Sequence, residues 1–250
     1  TSGNVTDGTQ AFDLPASCQA GIALDPPSMA AEQVANTTTA QTLRIQNGTL
    51  GGGADLTWSI TEAASDCAAP SDISWVSVSA ASGKTAPGQR SSVTVTFNSA
   101  GLTAPSSHTG KLCVASNDPS KPLLSVPLSL AVIYDFQGFF GSVSNPPALN
   151  RANPGSKVPF VFSLSGDKGL NIFPAGSPSS VEIDCDTSSP IGAPEPALPG
   201  GGGSGLSYSA ATDRYTYRWQ TQGDWAAGSC REFRMRLNDG TTRRALFRFK

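Results

Sequence analysis

The sequence has few of the residues that enzymes use for proton transfer and few charges of either sign. Its 250 residues include one histidine, His108, and charged residues make up 14% of the chain, against about a quarter in an average globular protein. His108 lies in the polar segment Pro-Ser-Ser-His-Thr-Gly, which is typical of a solvated turn before a strand. A nucleophile needs a base and a group that orients it, so we expect no catalytic triad here.

Motifs for phosphate binding and metal binding are also missing, and so is the nucleophile elbow of acyl transfer. There is no Gly-x-Ser-x-Gly elbow, and the glycine run at 200–203 lacks the Lys-Ser/Thr that follows a P-loop. None of the five cysteines forms a CxxC pair or a zinc pattern with the histidine. We therefore predict no catalytic residue, no metal site and no cofactor, and hence no enzymatic activity.

Long apolar runs are absent too. No segment approaches the roughly 18 apolar residues of a membrane-spanning helix, and no basic-then-apolar leader opens the chain. The formal net charge of −2 gives no general attraction to nucleic acid. We expect neither a nucleic-acid partner nor a membrane span, and any signal peptide would precede this sequence, which can be a fragment or a mature protein.

Glycine, proline and short alternating apolar runs are abundant. The chain has 26 glycines and 19 prolines, and 38% of its residues are hydrophobic. Period-two alternation separated by turn residues predicts short strands packed as β-sandwiches. In the first half such runs occur at Leu43–Ile45, Leu56–Ile60, Trp75–Val78, Val93–Phe97, Lys111–Val114 and Leu124–Val132. The predicted fold class is all-β.

Charge and aromatic content change near residue 134. Up to Ile133 the chain has 5 Lys/Arg and 4 of the 19 aromatic residues, and from Tyr134 onward it has 12 and 15. Two segments so different are not expected to share one core. We predict an extended N-terminal arm or linker at 1–27 and two tandem immunoglobulin-like β-sandwiches, at 28–133 and 134–250.

The cysteines predict one disulfide in each sandwich. Cys67 and Cys113 lie 46 positions apart in the first module, and Cys185 and Cys230 lie 45 apart in the second. Structural disulfides indicate an oxidising compartment, so we expect a secreted protein. Cys18 is left over; it can pair outside this sequence, link to another chain or stay free.

A long series of short motifs runs through residues 40–133. In chain order these are Trp75–Ser79, Ala81–Gly83, Ala86–Gly88, Val93–Phe97, His108–Cys113, Ser116–Pro119 and Val126–Leu128. Their order and spacing resemble the immunoglobulin-like modules near the C-terminal ends of secreted bacterial proteins, subtilisin-like proteases among them. The resemblance implies a fold and an extracellular location, and it transfers no catalytic residue.

The second module has its own series of motifs. They are Tyr134–Phe140, Asn145–Pro147, Val158–Leu164, Gly166–Leu170, Tyr215–Trp219 and Leu237–Gly240. This series resembles the bacterial extracellular module named for a Pro-x-Lys-Phe motif, the PxKF domain. Val161 stands in place of the naming lysine, so no role of that lysine can be transferred.

The C-terminal hairpin is the main candidate for a binding surface. Phe233, Met235 and Leu237, then Ala245, Phe247 and Phe249, alternate with basic residues. Period two places the apolar side chains in the core and the basic ones on the opposite face. These basic residues are Arg234, Arg236, Arg244, Arg248 and Lys250. The face can bind an anionic polymer, or it can be a solvated face that guards an edge against strand pairing.

Three other features allow a functional and a structural interpretation. Asp184 and Asp186 could form a carboxylate pair or ligate calcium, but we favour two exposed acids beside a disulfide. Aromatic residues of the second module could stack on sugars, but the alternation of Tyr215, Tyr217 and Trp219 favours a core. The Pro/Gly-rich segment 190–205 has almost nothing to bury, so we expect a mobile loop.

The leading prediction is a non-catalytic, secreted ancillary or interaction module. It would act in spacing, surface attachment or binding, with other domains of a larger secreted protein or a surface polymer or protein as partners. The alternative is a structural subunit of an extracellular filament or adhesin that self-assembles through the arm at 1–27. An enzyme is the third and least favoured class.

Overall fold

The computed structural model describes residues 19–48, 53–201, 203 and 205–250. The chain divides into two compact units: Thr1–Ala100 with Ser107–Leu130, and Gly101–Ser106 with Ala131–Lys250. The described residues form strands, turns and irregular segments. Among them, no helix has the length and apolar character needed to cross a bilayer.

The first unit is a sandwich of two sheets. Its strands are β1 (Ile22–Asp25), β2 (Met29–Val34), β3 (Thr38–Asn47), β4 (Leu56–Ala63), β5 (Val76–Val78), β6 (Ser82–Thr85), β7 (Arg90–Asn98), β8 (Ser106–Ser116) and β9 (Leu123–Ile133). One sheet has the order β1-β3-β7-β5 and the other β2-β9-β8-β4-β6. These are the A-B-E-D and G-F-C orders of an immunoglobulin-like sandwich, with β2 and β6 extending the second sheet.

Mainly aliphatic side chains fill the core of the first unit. Val93, Val95 and Phe97 alternate along β7 and are fully buried, and Leu43 and Ile45 are fully buried on the neighbouring strand β3. The alternation that predicts these strands also fixes which face is buried, because successive side chains of a strand point to opposite faces.

The second unit is also a sandwich of two sheets. Its strands are β10 (Gln137–Phe140), β11 (Leu149–Ala152), β12 (Lys157–Ser163), β13 (Ser179–Ile183), β14 (Glu195–Pro196), β15 (Leu206–Ser209), β16 (Arg214–Gln220), β17 (Cys230–Arg236) and β18 (Thr242–Phe249). They form one sheet of order β10-β12-β16-β15 and one of order β11-β18-β17-β13-β14. Strand β11 runs parallel to β18, whereas β17 runs antiparallel to it. The prediction of two immunoglobulin-like β-sandwiches is confirmed.

Aromatic rings fill the core of the second unit. Phe160 stacks on Phe233 with ring centroids 3.8 Å apart, and Trp219 meets Phe233 at 5.2 Å. Tyr215 and Tyr217 are also buried, with 0% and 2% exposure. The interpretation of these alternating aromatics as core residues is confirmed, and it accounts for the concentration of aromatic residues in this half of the chain.

Both predicted disulfides are present, and they occupy equivalent places. Cys67, four residues after β4, is bonded to Cys113 in β8, and Cys185, two residues after β13, is bonded to Cys230 in β17. Cys113 lies between two fully buried residues of β8 and therefore points away from the core. Each disulfide thus lies on the outer side of one sheet, unlike the inter-sheet bridge of antibody domains.

Part of the segment expected as an arm is a strand. Within the predicted arm, Ile22–Asp25 form β1, which pairs with β3 and buries Ile22. Gly83 also lies in a strand, β6, where it pairs with Trp58. A Cβ atom on Gly83 would lie 2.3 Å from the Trp58 ring, so the glycine lets the indole cover this strand. Residues 1–18, including Cys18, lie outside the described residues.

The predicted mobile loop at 190–205 is, in its described part, attached to both sheets. Three of its backbone N–H groups donate to neighbouring segments: Ile191 to the carbonyl of Glu182 at 2.9 Å, Ala197 to that of Pro178 at 3.0 Å, and Gly200 to that of Arg218 at 2.8 Å. Ala197 is buried, and the Tyr217 hydroxyl donates to its carbonyl. The premise that this segment has almost nothing to bury was wrong, because Ala197 is buried and the backbone is hydrogen-bonded to its neighbours. The mobility of the loop stays a prediction.

Removing either disulfide should destabilise the protein by a similar amount. The double variants Cys67→Ala/Cys113→Ala and Cys185→Ala/Cys230→Ala open loops of nearly equal length, 46 and 45 residues. The chain-entropy model gives a loss of about 4 kcal/mol in the free energy of unfolding for each. Urea unfolding monitored by circular dichroism measures it, and a loss under about 1 kcal/mol in both variants would contradict a structural role.

Candidate functional site

The candidate site is the outward side of the sheet β11-β18-β17-β13-β14. Odd-numbered residues from Phe233 to Leu237 and from Ala245 to Phe249 are buried in the aromatic core. Even-numbered residues of β17 and β18 therefore point outward. All the predicted basic residues are even-numbered, whereas Arg231 and Arg243 point to the opposite side, where they lie over the rings of Trp225 and Phe136.

A carboxylate holds two of the predicted arginines. Arg234 and Arg244 are direct cross-strand partners, and Glu232 lies next to them with 4% exposure. Arg234 donates to Glu232 Oε2 from Nε at 2.8 Å and Nη2 at 2.6 Å, and Arg244 Nε lies 3.2 Å from Oε1. The carboxylate offsets the repulsion between two guanidinium groups that the strand register places side by side.

Strand β11 adds an arginine to the same face. Because β11 pairs with β18 in parallel, Arg151 is the partner of Arg248, and both are exposed. The sequence alone does not predict this pair, since it arises from strands almost a hundred residues apart. The only local signal is that Arg151 occurs in a short segment between turn residues.

Four cations of this surface have no ion pair within the described ranges of the chain: Arg151, Arg236, Arg248 and Lys250. We define the outer basic face as these four with Arg234 and Arg244. Six positive groups thus share one buried carboxylate, that of Glu232. Arg151, Arg248 and Lys250 form the end of the face that has no acidic partner.

An apolar strip crosses the centre of this sheet. Leu149 of β11 pairs with Leu246 of β18, and Val181, Ile183 and Cys230 form a buried cluster beyond them. Leu149 is 41% exposed, whereas Val181 is fully buried. Arg151, Arg248 and Lys250 therefore lie on one side of the strip, and Arg236 lies on the other side with the two arginines bound to Glu232.

The other candidate functional residues, Asp184, Asp186 and His108, lie in hydrogen-bonded or packed positions. Asp184 lies in a turn after β13, not in a strand, and its Oδ1 accepts bonds from Thr187 N at 2.8 Å, Thr187 Oγ1 at 2.9 Å and Asp186 N at 3.1 Å. These bonds lower the pKa of Asp184. His108, expected in a turn, lies within β8 beside Trp75. Among the described residues, no three His, Cys, Asp or Glu side chains form a metal-binding group.

Burial and hydrogen bonding also shift the pKa values of Tyr215, Tyr217 and Asp213 in the second unit. Burial raises the pKa of Tyr215 and of Tyr217 to about 12, so both phenols stay protonated as donors. The pKa of Asp213 is lowered chiefly by the Ser163 hydroxyl, which donates to it at 2.7 Å. The Tyr208 hydroxyl and Gly166 N also donate to Asp213, both at 3.0 Å.

A serine and a lysine with Ser-x-x-Lys spacing also lie near this cluster. The Ser165 hydroxyl donates to Asp135 at 2.7 Å, and the backbone N–H of Lys168 donates to Tyr215. Ser165 lies in a loop with a φ of 55°. The Ser-x-x-Lys pair therefore belongs to a hydrogen-bonded loop at the end of β12.

Solved structures share the fold of this chain, whereas the sequence comparisons found no match. No protein-family model matches the sequence, and no curated protein sequence matches it. Solved structures with a similar chain path include the CsuC–CsuE chaperone–tip adhesion subunit complex of Acinetobacter baumannii, at 14% identity over 91% of this chain and 98% of that chain, with a TM-score of 0.36. The CupB2 chaperone of Pseudomonas aeruginosa has 12% identity over 90% and 98%, with a TM-score of 0.36.

A human structure covers a smaller part of the chain. A PapD-like domain of CEP192 has 16% identity over 53% of this chain and 98% of that domain, with a TM-score of 0.35. TM-scores this low carry no argument about function. The resemblances to the C-terminal modules of secreted proteases and to the PxKF domain have no support from a family model.

Replacing Glu232 should destabilise the second unit. In Glu232→Gln the uncharged amide cannot offset Arg234 and Arg244, and we expect the free energy of unfolding to fall by about 2 kcal/mol, as for lost charge-assisted hydrogen bonds. Arg244→Gln is the control; its side chain is 58% exposed, so the loss should stay below about 1 kcal/mol. Urea unfolding of both variants measures the difference, and equal losses would contradict this account.

Asp213 should contribute stability that disappears in acid. Its lowered pKa means that the contribution is complete above the unfolded-state value of about 3.9 and is lost as the pH falls through the folded-state value. Asp213→Asn should therefore show a shallower loss of stability than the unmodified protein between about pH 5 and 2. Asp224→Asn, at an exposed position, serves as the control and should keep the original acid dependence in thermal unfolding.

Proposed function

We propose that this protein is a non-catalytic, secreted interaction module whose second unit binds an anionic polymer through the outer basic face. One observation carries the proposal: Arg151 and Arg248 are paired across β11 and β18, exposed, and without an acidic partner in the described chain. Two like charges directly opposite each other repel and lower the stability of a sheet. An anion bound between them would remove that repulsion.

The spacing of the cations suits a ligand with repeated negative groups. Neighbouring strands lie about 4.8 Å apart, so Arg151 and Arg248 can contact one carboxylate, sulfate or phosphate together. Lys250 lies two residues beyond Arg248 and Arg244 four residues before it, which correspond to about 7 and 13 Å along an extended strand. Arginine forks bind carboxylates and phosphates in a bidentate manner. An acidic polysaccharide or cell-wall polymer meets these requirements.

The disulfides support an oxidising compartment outside the cytoplasm. Within that setting we propose a bacterial, extracellular protein, with an immunoglobulin-like module at 28–133 of the protease-associated kind and a PxKF-like module at 134–250. In this scheme the first module acts as a spacer, because its core and turns leave few charged residues on its surface. The second carries the binding face.

The filament alternative receives less support. It requires the N-terminal arm to pair with the sheet of another molecule. Residues 22–25 of that arm already pair with β3 of their own unit, and Ile22 N donates to Asp118 Oδ2 at 2.9 Å. Any exchange would have to use the residues before them.

Binding to sodium polygalacturonate, a linear polymer of a carboxylated sugar, tests the proposal. The triple variant Arg151→Gln/Arg248→Gln/Lys250→Gln should bind at least about tenfold more weakly in isothermal titration, because it loses charge-assisted hydrogen bonds. Binding of the unmodified protein should also weaken as salt is raised from about 0.05 to 0.3 M, since these charges are exposed.

A second triple variant distinguishes binding by the outer basic face from a general effect of the protein's net charge. Lys157→Gln/Lys168→Gln/Arg218→Gln removes three exposed cations of the second unit that lie outside the outer basic face, and its affinity should change by less than about twofold. Equal losses in the two triple variants would overturn the assignment to this face. Binding of neutral dextran as strongly as polygalacturonate would overturn the preference for an anion.

A further inference from the structure

The first half of β18 has an open backbone edge. Strand β17 pairs with β18 along its whole length, from Thr242 to Arg248. On the other side, β11 pairs only with residues 246–249. Residues 242–245 therefore have a strand neighbour on one side, although they lie inside a five-stranded sheet.

The direction of the free backbone groups follows from the bonds further along the strand. The carbonyl of Leu246 accepts a bond from Asn150 Nδ2, and Lys250 N donates to the carbonyl of Ala152, both at 3.0 Å. Even-numbered residues of β18 thus direct their N–H and C=O groups toward the β11 side. By alternation Thr242 and Arg244 do the same, and within the described chain their backbone groups have no hydrogen-bond partner.

The loop that faces this edge is held away from it. Asn145 Oδ1 accepts a bond from Phe139 N at 3.0 Å, and Asn150 bonds to both N and O of Ser144 at 2.8 and 3.0 Å. Between these anchors lie Pro146 and Pro147, which have no N–H to donate to β18. Asn145 and Pro146 of this loop line a space of about 360 Å³ beside Thr242.

A preorganised cation lines the same space. The guanidinium carbon of Arg243 lies 4.8 Å from the centre of the Phe136 ring, whose other contacts include a stack with Phe162 at 5.6 Å. Arg243 has no acidic partner in the described residues, and its Nε is buried without a hydrogen bond there. Stacking on an aromatic ring restricts the side chain, so its remaining N–H groups are available at low entropic cost.

We propose that this half-edge of β18 binds an extended acidic peptide segment, which adds to the sheet as a short strand between Thr242 and the proline loop. Free N–H and C=O groups that recur at every second residue match the backbone of a peptide, not the hydroxyls of a sugar. Thr242 and Arg244 offer two donors and two acceptors. A peptide residue opposite Arg243 places its side chain on the same side of the sheet as the guanidinium, where a carboxylate forms charge-assisted hydrogen bonds.

Amide hydrogen exchange, measured residue by residue by NMR, tests the open edge in the free protein. The amides of Arg243 and Ala245 point to β17 and should exchange slowly, whereas those of Thr242 and Arg244 should exchange at least about tenfold faster. Equal protection of all four amides would overturn the proposal, because the edge would then be closed.

A synthetic pair of peptides tests the ligand. Acetyl-Thr-Val-Glu-Val-Thr-amide should bind the unmodified protein, protect the amides of Thr242 and Arg244, and lose about tenfold in affinity when its Glu is replaced by Gln. Arg243→Gln should weaken the Glu peptide by a similar factor and leave the Gln peptide unchanged. Thr242→Pro removes one outward N–H at the first residue of the strand, where proline is tolerated, and should weaken both peptides.

The controls keep this site distinct from the outer basic face. The variant Arg151→Gln/Arg248→Gln/Lys250→Gln should keep full peptide affinity, and Arg243→Gln and Thr242→Pro should keep the circular dichroism spectrum and the polygalacturonate binding of the unmodified protein. No protection of Thr242 and Arg244 by the Glu peptide at millimolar concentration would overturn the proposal. So would an equal loss of affinity for the Glu and the Gln peptide in Arg243→Gln.

Discussion

The register of β17 against β18 is the constraint on which the second unit depends. Phe233 pairs with Ala245 on the buried face of the hairpin, and Arg234 pairs with Arg244 on its outer face. A slip of one residue would bring Arg244 and Arg248 into the space that Ala245 and the aromatic rings fill, and burying unpaired charges is costly. The stacked rings of Phe160 and Phe233 therefore also determine where the arginines lie: once the core is packed, every even-numbered side chain of the hairpin has to face outward.

Features encoded by nearby residues could be predicted from the sequence, and features made by distant strands could not. Alternation alone predicts the sandwich class, the core role of Tyr215 to Trp219 and the outward direction of Arg234 and Arg248, and cysteine counting predicts both disulfides. The pairing of Arg151 with Arg248 requires knowing that β11 joins β18 in parallel. The attachment of residues 190–201 depends on backbone hydrogen bonds, which cannot be seen in side-chain patterns. Ile22 in β1 looks like part of a linker until its partner strand is known.

The two units show how similar sandwiches accommodate different cores. Both have a disulfide that links the segment after the fourth strand, β4 or β13, to the strand beside it, β8 or β17. Because each disulfide lies on the outer side of its sheet, it takes no volume between the sheets. The inner faces are then free to be filled by Val, Leu and Ile in the first unit and by aromatic rings in the second. Aromatic rings contribute large buried area per residue, which suits a unit whose outer faces have many charges.

Strand β18 combines three roles, because its two faces and its backbone edge each present different groups. Its odd-numbered side chains complete the aromatic core, its even-numbered side chains form much of the outer basic face, and the backbone of Thr242 and Arg244 lies in the plane of the sheet at an unpaired edge. Side chains are perpendicular to the sheet and backbone groups lie within it, so a polymer on the face and a peptide at the edge would approach the same residues from directions at right angles. Glu232 separates the two further, since it binds the Arg244 side chain and leaves that residue's backbone untouched. The two proposed ligands would therefore use different groups of β18: the polymer its outward side chains, and the peptide the backbone of Thr242 and Arg244.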